Sequence, residues 1–299
     1  MPALPRPYLP HEAFVAAART DWAWWRLVLC AITIVVVYVG ALMLFSAYLT
    51  ARYGGWIAAA IARQMAEGNT PGMALLLFYS FLALAIGALF AVRAIHRRSA
   101  AMLFGPRPRE GLREFWQVSL PVIGLSVVLL PLGTASEEVT RGLETGDFLF
   151  YLPFALVGLL VQTTAEELVF RGYLQQQIAA RFPARVLWMG IPSALFGLAH
   201  YAPAEFGESS LVVVLWAFLF GLCAADLTAR TGRLGAAIGL HFANNVSAVL
   251  LVCLAGNLDG LALWRIAPGV AGGSLAPYIA TDFVALFASW LLARLALRV

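Results

Sequence analysis

The sequence predicts an all-α protein, a polytopic membrane bundle of about eight transmembrane helices with both termini in the cytoplasm. The first observation is composition: 62% of the 299 residues are hydrophobic, 12% are charged, and the mean hydropathy is +0.83. A soluble domain carries about a quarter charged residues and could not bury this much apolar surface. Lipid is therefore the expected solvent, which excludes a cytosolic enzyme, a disordered regulator and a disulfide-rich secreted domain.

The second observation is a series of eight apolar runs, each long enough to cross a bilayer at about 20 residues per crossing. The third run is short and the fourth is long. The first run begins after a polar, proline-rich segment and is too long for the apolar part of a cleaved signal peptide. The runs lie at residues 24–50, 72–95, 117–133, 148–180, 185–201, 210–229, 234–255 and 275–296.

The third observation is the distribution of arginine, because cytoplasmic connections are enriched in basic residues. Each pair of successive connections follows this rule when the N-terminus is inside, and one span more or fewer would break the alternation. The outside connections contain Arg52, Arg63, Arg141 and Arg265. The cytoplasmic connections and the C-terminus contain Arg97, Arg98, Arg107, Arg109, Arg113, Arg181, Arg185, Arg230, Arg233, Arg294 and Arg298.

The net charge of +4 is explained by this orientation, so no nucleic-acid partner is expected. All twenty basic residues are arginine, and a composition rich in Ala, Gly and Leu indicates GC-rich coding and hence a bacterium. The expected location is the bacterial cytoplasmic (inner) membrane, with membrane lipid as a partner. The cysteines Cys30, Cys223 and Cys253 lie in apolar runs without metal-binding spacing and are interpreted as buried thiols.

Ionisable residues inside a transmembrane run are costly unless they face protein or water, so they indicate function. The fourth run contains Glu166, Glu167 and Arg171. On a helix Glu167 and Arg171 can form an ion pair, which could be purely structural. Glu166 points about 100° away and is left without a partner. Removal from water favours the neutral form of a carboxylate, a property that suits a general base or acid.

Two later runs contain histidine: His200 lies in the fifth, and His241 lies four residues before Asn245 in the seventh. The spacing places His241 and Asn245 on one helix face. Gly235 and Gly239 are roughly opposite, where a neighbouring backbone can approach closely. A single intramembrane histidine is about as often a packing group as a catalyst. Two of them, with an unpaired glutamate and an asparagine, favour a functional site.

Straight spans would place His200 near the outer end of the fifth helix and His241 nearer the inner end of the seventh. For the two to converge, either the fifth span is short and ends at mid-membrane, or the helices are tilted or staggered. Pro192 and Pro203 could kink or end the fifth helix. With a short fifth span, residues 201–210 would form a re-entrant segment that lines a protein cavity.

Together these segments resemble the CPBP family of intramembrane proteases, also called the ABI or type II CAAX prenyl endopeptidase family. The family pattern is EExxxR, then FxxxH, then HxxxN or HxxxB, on successive membrane helices. The resemblance covers roughly residues 150–255, about a third of the chain. The matching segments are Glu166-Glu167-x-x-x-Arg171, Phe196-x-x-x-His200 and His241-x-x-x-Asn245.

The resemblance implies a membrane-embedded endopeptidase, a hydrolase with a water-filled cavity inside the bundle. In such a site the first glutamate activates water and the second-motif histidine assists. The third-motif histidine and asparagine polarise the scissile carbonyl and stabilise the oxyanion. Carried onto this sequence, the catalytic residues are Glu166, His200, His241 and Asn245, and the structural supports are Glu167, Arg171 and Phe196.

The cofactor and the substrate stay open. Glu166, His200 and His241 would suit Zn²⁺ or another divalent metal with one open position, as in a metalloprotease. The same groups would suit a metal-free reaction in which glutamate activates the water. The resemblance implies a peptide or protein substrate. Eukaryotic members remove the last three residues of prenylated CAAX proteins, but many bacterial members have no known prenylated target.

The resemblance also divides the chain into three parts. Residues 1–147 hold N-terminal transmembrane helices and loops, 148–255 the CAAX-protease-like core, and 256–299 an outside loop and the final helix. One alternative is a non-proteolytic scaffold or bacteriocin-immunity protein of the same fold, which has no need for an unpaired Glu166. Another is a transporter or proton channel. The sequence has no inverted repeat, which argues against this class.

Reporter fusions test the topology. Because the arginine bias alternates from one connection to the next, reporters after residues 140 and 205 should lie outside. Reporters after residues 105 and 183 should lie in the cytoplasm. Two inverted reporters would contradict the eight-span arrangement.

Overall fold

The computed structural model describes residues 6–20, 23–134, 138–267 and 276–299, without the side chains of residues 6, 132, 133, 204, 205 and 276–279. The predicted fold class is confirmed, since this part of the chain is a helical membrane bundle with one small sheet. Its helices are α1 (Leu9–Ala16), α2 (Trp24–Tyr53), α3 (Gly55–Glu67), α4 (Pro71–Ile95), α5 (Pro108–Gly133), α6 (Thr145–Glu167), α7 (Gln176–Arg181), α8 (Arg185–Ala199), α9 (Pro203–Phe206), α10 (Ser210–Thr231), α11 (Gly235–Asn245) and α12 (Ala276–Leu297).

Six of the eight predicted spans coincide with helices that are long and apolar enough to cross a membrane. The fifth and seventh form shorter apolar helices, Arg185–Ala199 and Gly235–Leu251. The 15 residues of α8 rise about 22 Å, less than the hydrocarbon core of roughly 30 Å. The structure thus agrees with the short-span alternative for the fifth run, and α8 ends immediately before His200.

Local features of the outside connections differ from the sequence prediction. The first connection contains the extra helix α3. The seventh span, predicted at 234–255, is helical only to Leu251 and continues as strand β2 (Val252–Leu254). The prediction missed this change because an apolar run alone does not distinguish helix from strand. Strand β3 (Trp264–Ile266) pairs in parallel with β2 and antiparallel with β1 (Val139–Arg141), in the order β1-β3-β2.

Helix α11 packs against α5, α6 and α10 and so lies among the helices that carry the buried core. A Cβ on Gly235 would overlap the carbonyl oxygen of Gly111 on α5. A Cβ on Gly239 would lie 2.7 Å from the carbonyl oxygen of Phe115 on the same helix. The close backbone approach predicted for this glycine pair is therefore confirmed, and α5 is the neighbour.

Connections predicted on the same side of the membrane meet at the same end of the bundle. Pro10, Arg107, Arg230 and Val299, from the N-terminal segment, two cytoplasmic connections and the C-terminus, line one cavity of about 270 Å³. At the opposite end, the sheet joins the second and last outside connections. The first outside connection joins them, since the backbone N–H of Leu258 donates to the carbonyl of Glu67. This grouping agrees with the alternation of spans.

Two histidines outside the motifs are buried against Leu168–Gln175, a π-helical stretch that continues α6. His11 on α1 is 2% exposed, and its Nε2 lies 3.3 Å from Nε2 of Gln175. His96 Nε2 lies 3.0 Å from the hydroxyl of Tyr173. The N-terminal segment is therefore bound directly to the continuation of the helix that carries the first motif.

The buried state of His11 predicts a pH dependence. Burial lowers the pKa of His11 to about 3, and the charge of Arg19 acts in the same direction. A detached segment takes up this proton below the ordinary pKa of about 6.5, whereas the packed segment stays neutral. The free energy that holds α1 in place should fall as the pH drops from about 6.5 towards 3, by up to about 1.4 kcal/mol per pH unit.

Hydrogen exchange of α1, corrected for the intrinsic effect of pH, measures this change. A His11→Gln variant lacks the titrating group and should show a weaker pH dependence. The same dependence in both proteins would mean that another group is responsible.

Candidate active site

The first motif lies where α6 changes from α-helix to π-helix, a distortion often found at functional sites. Glu167 and Arg171 are fully buried, and Glu166 is 9% exposed. Arg171 Nη1 donates to Glu167 Oε1 at 2.9 Å. The i,i+4 ion pair expected from the sequence is therefore present, and it uses Oε1 of Glu167, whereas Oε2 has no hydrogen-bond partner among the described residues.

The third motif brings its histidine directly to both glutamates. His241 Nδ1 lies 2.9 Å from Glu167 Oε1, the same oxygen that accepts from Arg171. His241 Nε2 lies 3.5 Å from Glu166 Oε2. A carboxylate can only accept, so Nδ1 carries the proton and Nε2 is the atom turned towards Glu166. Glu167 thus fixes the orientation of the His241 ring, a group that can both accept and donate protons.

Glu166 is the less constrained member of the pair. Its Oε2 is buried and has no hydrogen-bond partner in the described part of the chain. The contact with His241, at 3.5 Å, is longer than a good hydrogen bond and leaves the carboxylate available for another donor. A carboxylate with a neighbouring imidazole and no fixed donor is suited to accept a proton from water.

An amide pair lies beside this cluster. Asn245 Nδ2 donates to Gln162 Oε1 at 2.8 Å, which joins α11 to the turn of α6 that precedes Glu166. Asn244 Nδ2 lies 3.4 Å from Asn245 Oδ1, a longer and weaker contact. The structure therefore brings Asn245, on α11, against the helix that carries the two glutamates.

The second motif contributes an aromatic wall. The Arg171 guanidinium lies 4.6 Å from the ring centroid of Phe196, a cation–π contact. The same ring lies 5.8 Å from the His241 ring and 4.5 Å from the His200 ring. Phe196 therefore covers the buried ion pair and contacts both motif histidines, which fits its expected supporting position.

His200 is brought close to the cluster without joining it. Its Nδ1 lies 2.8 Å from the carbonyl oxygen of Phe196 one turn earlier, so this nitrogen donates and Nε2 is left as the acceptor. Among the described residues, no hydrogen bond or ion pair links His200 to Glu166 or His241. His200 therefore has no direct bond to these two side chains, and its role beside the attacking water stays a prediction.

The donor set expected for a metal can be compared with this geometry. Within the described ranges, no three His, Cys, Asp or Glu side chains come together as a group that could hold a metal ion. Glu166 and His241 form a two-residue arrangement, and His200 is not part of it. The proposed ligand set does not fit this conformation, so the chemistry below uses only the side chains of the chain.

Two contacts of the site were missed by the sequence analysis. Glu167 was assigned to Arg171 alone, whereas it also accepts from His241 on another helix. Gln162 was given no role, although it precedes Glu166 by one helical turn and therefore lies on the same helix face. The i,i+4 spacing could have indicated that Gln162 lies beside Glu166, but it could not predict the hydrogen bond with Asn245 on α11.

Fold and site together define a multi-pass membrane protein with a buried cluster of carboxylate, imidazole, guanidinium and amide groups. Residues 148–247 match the family described as "Type II CAAX prenyl endopeptidase Rce1-like". The match contains all three motifs and confirms the family resemblance. This family includes intramembrane proteases.

A curated relative from Bacillus subtilis (strain 168), "Uncharacterized protein YyaK", is 26% identical over 163 residues. The alignment covers 54% of this chain and 54% of YyaK, so the chain spans about half the length of the relative it matches. No solved structure gives a significant match to the chain. The roles of the site residues consequently stay predictions.

Arg171→Ala should destabilise the folded protein by about 3–5 kcal/mol, the usual cost of breaking a buried ion pair by removing one partner. Unfolding by denaturant in detergent measures the loss. Arg230→Ala is the matched control, since Arg230 pairs with Asp226 at the same spacing. Asp226 also accepts from Tyr8 and Trp290, so this variant should lose less. Equal losses would show that burial of the first pair carries no special cost.

Proposed function

We propose that the protein is an intramembrane endopeptidase in which Glu166 activates the attacking water. The observation that carries the proposal is the inequality of the two glutamates. Glu167 is bound by Arg171 and His241, whereas Glu166 Oε2 has no hydrogen bond in the described chain and faces His241 Nε2 at 3.5 Å. The family match, which includes intramembrane proteases, supports the same reaction class.

The reaction needs one base, one acid and a stabilised oxyanion. Glu166 takes a proton from water, and the resulting hydroxide attacks the carbonyl carbon of the scissile peptide bond. The same carboxyl group then gives its proton to the nitrogen of the departing amine as the C–N bond breaks. The acid and base steps therefore balance on one side chain.

The oxyanion would be stabilised from α11. When His241 is protonated on both nitrogens, Nε2–H can donate to the developing negative charge while Nδ1–H donates to Glu167. The N–H of Asn245 that is not bound to Gln162 is the second donor. Preorganised donors of this kind are strongest where water is excluded.

His200 is proposed as an assisting group that acts through Nε2, because its Nδ1 is occupied by the Phe196 carbonyl. A divalent metal stays a prediction from the resemblance, and elemental analysis of the purified protein tests it. The proposed substrate is a peptide or protein, with or without a prenyl group, reached within the bacterial cytoplasmic membrane. Multi-pass membrane insertion itself follows from the apolar helices.

Glu166→Gln should lower turnover by at least about 10²–10⁴-fold, because the neutral amide cannot accept a proton from water. The assay uses purified protein in detergent with a quenched farnesylated CAAX-type peptide and an unprenylated peptide of the same sequence. The variant should remain folded and stable, since Glu166 makes no hydrogen bond that the substitution removes.

Full activity of Glu166→Gln on a cleaved peptide would show that another group activates the water. Cleavage of only the farnesylated peptide would assign a prenylated substrate, whereas cleavage of both would show that the peptide is sufficient. If the wild-type protein cleaved neither, the alternative of a non-proteolytic scaffold or immunity protein would be favoured.

A further inference from the structure

We propose that Gln162 is a positioning residue that fixes the side-chain amide of Asn245 in the orientation needed to stabilise the oxyanion. The inference rests on the proposed function for its catalytic meaning, but the contact itself is independent of any substrate. Gln162 lies on α6, is 8% exposed, and accepts from Asn245 Nδ2 at 2.8 Å. The family motifs do not include this position.

An asparagine amide has two nearly isosteric orientations, related by a flip that exchanges the positions of the acceptor oxygen and the donor nitrogen. With Nδ2 towards the substrate it donates, and with Oδ1 towards the substrate it repels an oxyanion. In the structure Gln162 presents Oε1, which can only accept, and this favours the orientation of Asn245 in which Nδ2 faces α6. Asn244 Nδ2, which lies 3.4 Å from Asn245 Oδ1, favours the same orientation from the other side.

The geometry also leaves a donor free. An amide nitrogen has two N–H groups about 120° apart, and Gln162 uses one of them. The second is directed away from Gln162. Because Gln162 precedes Glu166 by one turn, the base and the residue that orients the oxyanion donor project from one face of α6. The contact therefore relates the position of the donor to that of the base through one turn of α6.

Gln162 is not needed to hold α6 against α11. The Glu167–His241 hydrogen bond already joins the two helices, and α11 is further buried against α5 through its glycines. Loss of the Gln162 amide should therefore change the orientation of Asn245 more than the packing of the bundle. This separates a positioning role from a structural one.

The first measurement concerns the contact and needs no substrate. The chain has four asparagines, Asn69, Asn244, Asn245 and Asn257, so protein labelled with ¹⁵N-asparagine gives few side-chain amide signals, which single substitutions assign. Gln162→Met keeps the length of the side chain and removes its acceptor. Hydrogen exchange of the Asn245 amide should become about tenfold faster or more, as expected for the loss of one hydrogen bond.

The second measurement concerns turnover of the two peptides described above. Gln162→Met should lower kcat by about tenfold with KM changed by less than about twofold, because the oriented donor matters most in the transition state. In the double variant with Asn245→Ala, the loss should be within about threefold of that of Asn245→Ala alone. A residue that acts only through Asn245 has nothing left to orient once that amide is removed.

Thr163→Val is the matched control. Thr163 neighbours Gln162 on the same buried turn, but its hydroxyl donates to the carbonyl of Leu159 within its own helix. This variant should leave both the amide exchange of Asn245 and the kcat close to wild type.

Additive losses in the double variant, or unchanged exchange of the Asn245 amide in Gln162→Met, would overturn the positioning role. If the wild-type protein cleaves neither peptide, the proposed function fails by itself. The exchange measurement then still decides whether Gln162 holds Asn245.

Discussion

The site depends on one fully buried carboxylate, that of Glu167. It accepts from Arg171 on its own helix and from His241 on α11, both at 2.9 Å. A charge at this depth costs several kcal/mol unless it is paired, so the two donors are a requirement of the fold as much as of the chemistry. Because the donors come from two helices, the same pairing sets the position of α11 against α6 and the orientation of the imidazole. It also leaves Glu166 as the carboxylate without a fixed donor.

The surrounding packing makes this pairing possible. The absence of side chains at Gly235 and Gly239 lets α11 approach the backbone of α5, which brings its opposite face towards α6. Phe196 lies over the Arg171 guanidinium and limits the access of water to the ion pair. Low local polarity strengthens the remaining interactions among the charged groups, and any donor left unpaired there is correspondingly costly. Phe196 belongs to the last turn of the short helix α8, so the second motif contacts the cluster through this ring.

The parts of the chain outside the matched segment are bound to it. The hydroxyl of Tyr8 donates to Asp226 on α10, and His11 packs against Gln175 at the end of the π-helical continuation of α6. The N-terminal segment therefore closes the end of the bundle at which the basic connections meet. Similarity to the family extends over residues 148–247. The remaining helices are joined to that segment by packing, for example of α4 against α6 and of α12 against α10.

Several features followed from the sequence because they depend on local spacing or on transfer to lipid. Composition and the apolar runs determined the membrane bundle, the arginines determined how the connections group, and i,i+4 spacing determined the Glu167–Arg171 pair. Contacts between helices were decided only by the tertiary structure. The bond from His241 to Glu167 and that from Asn245 to Gln162 depend on the rotation of α11 about its axis, which the glycine contact with α5 sets. Likewise, the end of the seventh span in a strand depends on a partner, β3, that an apolar run cannot specify.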